Sequence, residues 1–196
     1  MRRAEIDEQN RYLLAQQRQF RMAADVIVAA WMDFPEVQAI AVIGSVAKPL
    51  WKEVPRFRDF RRRNIVVWHE CKDLDLALWI DAQDRLRELR RAAERALQQA
   101  FRDGTGISVV GHQVDVFLFE PGSDRYLGRL CAFNQCPKGK PQCAAPGCGE
   151  ISFNQHIAGF KPRGDLLAPA RDAMLFRRGL GRIRSALDLA ATESDD

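Results

Sequence analysis

Apolar side chains recur with the period of an α-helix in three segments of the chain. From residue 4 to about residue 31 they fall close to every 3.6 positions, with Arg, Gln and Glu between them. This pattern predicts one long helix, or two abutting helices, ended by Pro35. Residues 84–101 show the same period, with leucines and alanines on one face and arginines largely opposite. A third helical pattern, over residues 169–189, is interrupted near Gly179 and Gly181.

Apolar runs between these helices predict the strands of a sheet. Residues 37–43 form a run bounded by Gly44, residues 73–80 form a second run, and residues 113–119 form a third. Shorter runs at 65–68 and 107–110 predict two further strands, and residues 44–47 are expected to begin a helix. Because helices and strands follow one another, we predict an α/β (α+β) fold in which helices pack on a sheet.

Composition favours a single domain. The 196 residues are 46% hydrophobic and 29% charged, which fits one globular domain over residues 1–196. Its core is expected at 37–120, followed by a cysteine-rich segment at 128–150 and a helical segment at 165–190. The chain has no apolar run of about 18 residues and no signal-peptide pattern, so we expect a cytoplasmic protein without a membrane partner. The net charge of +4 permits nucleotide or nucleic-acid partners but does not require them.

Three acidic residues lie within the predicted strands. Asp73 and Asp75 are two positions apart, so their carboxylates point to the same face of a strand, and Asp115 lies in the strand predicted at 113–119. Two carboxylates on one face and a third from a neighbouring strand can hold a pair of divalent cations for phosphoryl transfer. The sequence therefore indicates a two-metal site.

A turn that suits phosphate follows the first predicted strand. Gly44 lets the backbone approach a ligand closely, the hydroxyl of Ser45 can donate, and the N-terminus of a following helix favours anions. Lys48 is either a further phosphate contact or a surface residue.

The three motifs Gly44-Ser45, Asp73-Leu-Asp75-Leu and Val114-Asp115-Val116 together resemble the signature of the polymerase-β-like nucleotidyltransferase superfamily, especially its small minimal members. The resemblance covers about residues 37–120 and implies a nucleotidyltransferase-type mixed sheet. It also implies that Gly44 and Ser45 contact the triphosphate, that Asp73 and Asp75 bind two Mg²⁺ ions, and that Asp115 completes the metal site. The implied reaction transfers a nucleoside monophosphate from a nucleoside triphosphate to a hydroxyl acceptor, which stays open among a small molecule, an RNA end and a protein.

One stretch departs from this signature. The family usually places only a dozen or so residues between its Gly-Ser turn and its acid pair, whereas here residues 46–72 separate them. Within this insertion, residues 49–64 combine two prolines with arginines and phenylalanines, which either grip phosphates and bases or form a solvated surface excursion. Insertion into a surface loop costs little stability, so the longer spacing is compatible with the fold.

Four of the five cysteines cluster in one loop-rich stretch. Cys131, Cys136, Cys143 and Cys148 have a composition and spacing that suit a structural tetrahedral zinc site, with free or partly paired thiols and an iron–sulfur cluster as alternatives. Should Cys131 belong to the core instead, either His156 or Cys71 is a candidate fourth ligand.

Two further classes of function compete with catalysis. The first is a catalytically silent, antitoxin-like binding or regulatory module whose long N-terminal helix serves as the interface for a protein partner or a homodimer. The second is a zinc-stabilised nucleic-acid binder that uses five arginines of the insertion, which are Arg56, Arg58, Arg61, Arg62 and Arg63. The histidines His69, His112 and His156 are interpreted as structural residues.

Overall fold

A mixed sheet with helices on one face organises the molecule. The computed structural model describes residues 3–50, 62–63 and 65–192. Within them lie two α-helices, α1 (Arg3–Trp31) and α2 (Leu86–Arg102). The strands are β1 (Val37–Ile43), β2 (Leu74–Ile80), β3 (Val114–Phe119), β4 (Tyr126–Leu130), β5 (Asn154–Gln155), β6 (Met174–Arg177) and β7 (Gly181–Arg182).

The strands form one sheet in the order β5-β4-β3-β2-β1-β6-β7. β2 and β3 are parallel, because the chain between them crosses over through α2, and every other neighbouring pair is antiparallel. The prediction of an α/β fold with helices packed on a sheet and a long N-terminal helix is thereby confirmed.

The two faces of the sheet bury different side chains. Leu74, Leu76 and Leu78 of β2 point into the larger core, which α1 and α2 cover. Since side chains alternate along a strand, Asp75, Ala77 and Trp79 point to the opposite face. That second face buries a smaller cluster and is closed by a loop carrying Phe160, Leu166 and Leu167.

The prediction of a helix over residues 169–189 is wrong. Met174–Arg177 forms β6, which pairs with β1, and a tight turn leads into β7. Gly179 and Gly181 both have positive φ, at 88° and 76°, so they shape this hairpin where the sequence pattern suggested an interrupted helix. Pairing with the open edge of β1 satisfies backbone groups that a helix would leave exposed there. The expected helical segment at 165–190 otherwise contains only 3-10 turns, at Ala168–Arg171 and Ala186–Asp188.

Three shorter predictions also differ from the structure. Residues 65–68 and 107–110 are irregular, and neither run joins the sheet. Residues 44–47 form a turn, with the N–H of Lys48 donating to the carbonyl oxygen of Ser45 at 3.3 Å, instead of the start of a helix. Residues 51–61 and 64 of the insertion, among them Arg56, Arg58 and Arg61, lie outside the described residues.

None of the helices in the described ranges is long and apolar enough to cross a membrane.

Candidate acidic site and cysteine pocket

Strand register places two of the three acidic residues side by side. In the parallel pairing of β2 and β3, Asp75 lies directly opposite Asp115. Asp75 is also opposite Ile43, the last residue of β1, and Asp73 comes one residue before β2 begins. The acids and the Gly44 turn therefore converge at one end of three adjacent strands, as the sequence predicts.

The carboxylate of Asp75 occupies the space where a side chain at Gly44 would lie. Its φ is +69°, and a Cβ built on it would lie 2.2 Å from Oδ2 of Asp75. Both the backbone conformation and this contact exclude a larger residue without displacement of the carboxylate. The absence of a side chain at Gly44 therefore leaves the space that the Asp75 carboxylate occupies.

Helix α1 supports the turn from behind. Nε2 of Gln17 donates to the carbonyl oxygen of Lys48 at 2.9 Å, and Nε of Arg21 donates to that of Val46 at 3.2 Å. Ser45 hydrogen-bonds the buried thiol of Cys71, and Lys48 is exposed. The turn is thus held by buried side chains, whereas Lys48 faces solvent.

Negative charge accumulates at Asp75. Burial, reinforced by the nearby Asp73, raises the pKa of the Asp75 carboxyl to about 6, while Arg129 acts in the opposite direction. Arg129 forms an ion pair with Asp115, and its own pKa is lowered by burial. Burial and the charge of Asp73 thus raise the pKa of Asp75 by more than the guanidinium of Arg129 lowers it.

This donor set suits a divalent cation. Carboxylate oxygens are the ligands that Mg²⁺ prefers, and a cation beside Asp75 would stabilise the charged form that burial and the nearby Asp73 disfavour. In the part of the chain that the structure describes, however, no group of three or more His, Cys, Asp or Glu side chains is assembled as a ready coordination shell. The register brings Asp75 and Asp115 together, and Arg129 holds Asp115.

Sequence reasoning missed Arg129. It lies on β4, opposite Phe117 of β3, and its guanidinium carbon is 5.9 Å from the centre of that ring. The available signal was an arginine flanked by apolar residues in a short run at residues 126–130, directly before the cysteine segment.

An open groove lies on the same face of the sheet as the acids. Its volume is about 1230 Å³, and Trp79, Phe119 and Tyr126 line it together with Arg171 and Arg177. Next to it, Phe160 makes tilted ring contacts with Phe117 and Tyr126, with ring centres 5.8 Å and 5.5 Å apart. The groove thus combines aromatic surface with positive charge, a feature that individual motifs did not predict.

The four clustered cysteines share one small pocket. Cys131, Cys136, Cys143 and Cys148 all line a cavity of about 10 Å³. Cys71 lies in the main core instead, with its Sγ 3.8 Å from Nε2 of His69. The structure therefore groups the four thiols that the sequence grouped, and separates Cys71 from them.

The other histidines lie outside the acidic site. The ring of His156 is about 3.5 Å from a Cβ built on Gly147, beside the cysteine loop. His112 is exposed in a 3-10 turn before β3.

Comparison of the chain with protein-family models, with curated proteins and with solved structures finds no match.

Proposed function

We propose that this chain is a nucleotidyltransferase that transfers a nucleoside monophosphate from a nucleoside triphosphate to a hydroxyl acceptor. The observation that supports this proposal is the parallel register of Asp75 with Asp115, next to a glycine turn that accommodates the Asp75 carboxylate. Such a convergence is what the nucleotidyltransferase fold implied by the sequence motifs requires.

Each residue of the site has a distinct task in this proposal. The backbone of Gly44 and the hydroxyl of Ser45 bind the triphosphate, with Lys48 at the exposed end of the turn. Asp73, Asp75 and Asp115 hold two Mg²⁺ ions, which would activate the acceptor hydroxyl and neutralise charge on the departing pyrophosphate. Gln17 and Arg21 keep the turn in place, so the contribution of the protein is mainly positioning.

Arg129 is proposed to neutralise part of the negative charge of Asp75 and Asp115 until the substrate binds. Its ion pair with Asp115 and its opposition to the raised pKa of Asp75 reduce the repulsion among the carboxylates. In the substrate complex its guanidinium would be free to donate to a phosphate oxygen instead.

The acceptor does not need to be known for the first test. Mg²⁺-dependent binding of a non-hydrolysable nucleoside triphosphate analogue should be lost in Asp75→Asn and Asp115→Asn. It should persist in Asp84→Asn, an exposed position before α2. Binding that is unaffected by the first two substitutions would contradict the proposal.

The second test identifies the acceptor. Labelled nucleoside triphosphates, Mg²⁺ and a cell lysate are incubated with the wild-type chain and with Asp75→Asn. We expect a labelled small molecule, RNA or protein only with the wild type. Chromatography and mass spectrometry then distinguish the three classes.

One observation favours a second candidate, a binding module that keeps the fold without turnover. Arg129 already neutralises Asp115, the residue expected to complete the metal site. A silent module would neither bind the triphosphate in a Mg²⁺-dependent manner nor label any acceptor. Because the apolar face of α1 is buried in the core, a partner or a second copy bound through this helix would have to contact its polar face.

A further inference from the structure

The cysteine pocket lies at the edge of the sheet, between β4 and β5. Cys131 directly follows β4, and its backbone N–H donates to the carbonyl oxygen of Phe153 at 2.8 Å. All five cysteines are described, and none of them forms a disulfide. The cavity of about 10 Å³ is close to the volume of one water-sized probe, so it suits a single small ion.

The loop that carries these cysteines has no hydrophobic core of its own. No residue from 132 to 152, a range that the structure describes in full, is buried. Its regular structure amounts to one 3-10 turn at Pro141–Ala144 and an isolated bridge between Cys148 and Ile151. Ordering a long loop of this kind costs conformational entropy that buried apolar surface does not offset here. An additional cross-link is therefore expected.

Backbone N–H groups point at two of the four sulfurs. The backbone N–H of Phe133 donates to Sγ of Cys131 at 3.4 Å, and the backbone N–H groups of Lys138 and Lys140 donate to the sulfur of Cys143. The Cys143 and Cys148 side chains hydrogen-bond each other.

Positive charge stands next to the pocket. The ammonium groups of Lys138 and Lys140 lie 5.0 Å and 4.5 Å from the centre of the Phe133 ring, and Phe133 and Lys138 line the cavity. Four thiolates around one divalent ion carry a net charge of about −2, which nearby ammonium groups and N–H donors stabilise.

We propose that Cys131, Cys136, Cys143 and Cys148 bind one structural zinc ion. Four soft thiolates satisfy tetrahedral zinc and leave no open position, so this site serves the fold instead of catalysis. The thiols line the cavity without forming a preassembled shell, so binding requires the four sulfurs to come closer together.

The zinc site would also support the strand that carries Arg129. β5 pairs with β4 through Arg129 with Gln155 and Leu130 with Asn154, and the cysteine loop connects these two strands. Asn154 is buried, and its Nδ2 donates to Oε1 of Gln83 at 2.7 Å and to the carbonyl oxygen of Leu127 at 2.9 Å. A cross-link at Cys131 and Cys148 therefore restrains both ends of the loop beside the acidic site.

Elemental analysis of the full-length chain, purified without chelator, tests the proposal directly. We expect one zinc per chain, and cobalt bound in its place should give the intense thiolate charge-transfer absorption of a four-sulfur site. Cys136→Ser and Cys143→Ser should reduce the zinc content well below one per chain. Cys71→Ala, which changes a cysteine of the main core, should retain the zinc.

A second measurement does not depend on any variant folding. After removal of zinc from the wild type, amide exchange should accelerate in residues 126–155 and remain slow in β1 and β2. The proposal is overturned if the reduced chain contains and binds neither zinc nor cobalt, if it contains iron in place of zinc, or if both serine variants keep a full zinc. None of these outcomes depends on nucleotide transfer, so the zinc site and the proposed function can fail separately.

Discussion

A carboxyl that is partly buried beside a like charge opposes stability when it is ionised, and Asp75 is such a group. Its pKa is raised from 3.8 to about 6, so the folded state disfavours its charged form. Its contribution to stability is therefore fully present below pH 3.8 and is lost as the pH rises through about 6. Selection for metal binding would explain why a charge is kept in this position.

The substitution Asp75→Asn removes that charge and nearly preserves the shape of the side chain. In metal-free buffer above pH 6, we expect the variant to unfold with a free energy about 1–2 kcal/mol higher than the wild type, and to have lost Mg²⁺-dependent nucleotide binding. The difference in stability should disappear below about pH 4. Denaturant titrations across this pH range measure it, and a variant that is less stable at every pH would contradict the explanation.

Gly44 offers a test with a closely matched control. Gly44→Ala should displace the Asp75 carboxylate, since the new Cβ would fall 2.2 Å from Oδ2. Gly104 has nearly the same φ, +68°, but nothing lies within 4 Å of a Cβ built there. Both substitutions should lower stability by about 1–2 kcal/mol, because alanine disfavours a positive φ. Only Gly44→Ala also disturbs the Asp75 carboxylate, so only this variant should lose nucleotide binding in a calorimetric titration.

At the scale of elements, long and strongly patterned segments were predictable and short ones were not. Helices α1 and α2 and strands β1, β2 and β3 have local patterns that specify them. β4 to β7 are two to five residues long and form because neighbouring strand edges need partners, which is information that lies elsewhere in the chain. Arg129 was missed for this reason: its role exists only once β4 lies beside β3.

Contacts between residues far apart in the sequence also hold the segment after β7 against α1. Asp25 of α1 accepts a hydrogen bond from the backbone N–H of Ala186 at 2.8 Å, a second from Oγ of Ser185, and an ion pair from Arg182. We expect Asp25→Ala to lower the free energy of unfolding by about 1–3 kcal/mol and to accelerate amide exchange in residues 181–189. Asp33→Ala, an exposed change just after α1, is the control and should alter neither.

At the scale of the whole molecule, the two faces of the sheet carry different features. One face carries the helices and most of the core, while the acids and the groove share the other face. The groove is lined by Gln38, Trp79 and Phe119, at the opposite ends of β1, β2 and β3 from the acids. Under the proposed function, its arginines make it a binding surface for the distal part of an extended anionic acceptor.

Charge reversal in the groove tests that arrangement. The double variant Arg171→Glu/Arg177→Glu should strongly reduce transfer of label to the acceptor and leave Mg²⁺-dependent nucleotide binding at the acidic site unchanged. Arg87→Glu/Arg91→Glu makes the same change in net charge on the exposed side of α2 and should leave transfer intact. Equal loss of transfer in both double variants would indicate an effect of net charge alone.

The network around Arg21 also has a practical consequence for constructing fusions. Besides the carbonyl oxygen of Val46, Arg21 donates to those of Leu189 and Ala190, and the N–H of Leu50 donates to Ala191 at 2.8 Å. Residues 189–192 therefore lie beside the segment that follows the glycine turn. Under the proposed function, an affinity tag or reporter placed close to this contact would lie near the triphosphate, so the opposite end of the chain is the better attachment point for activity assays.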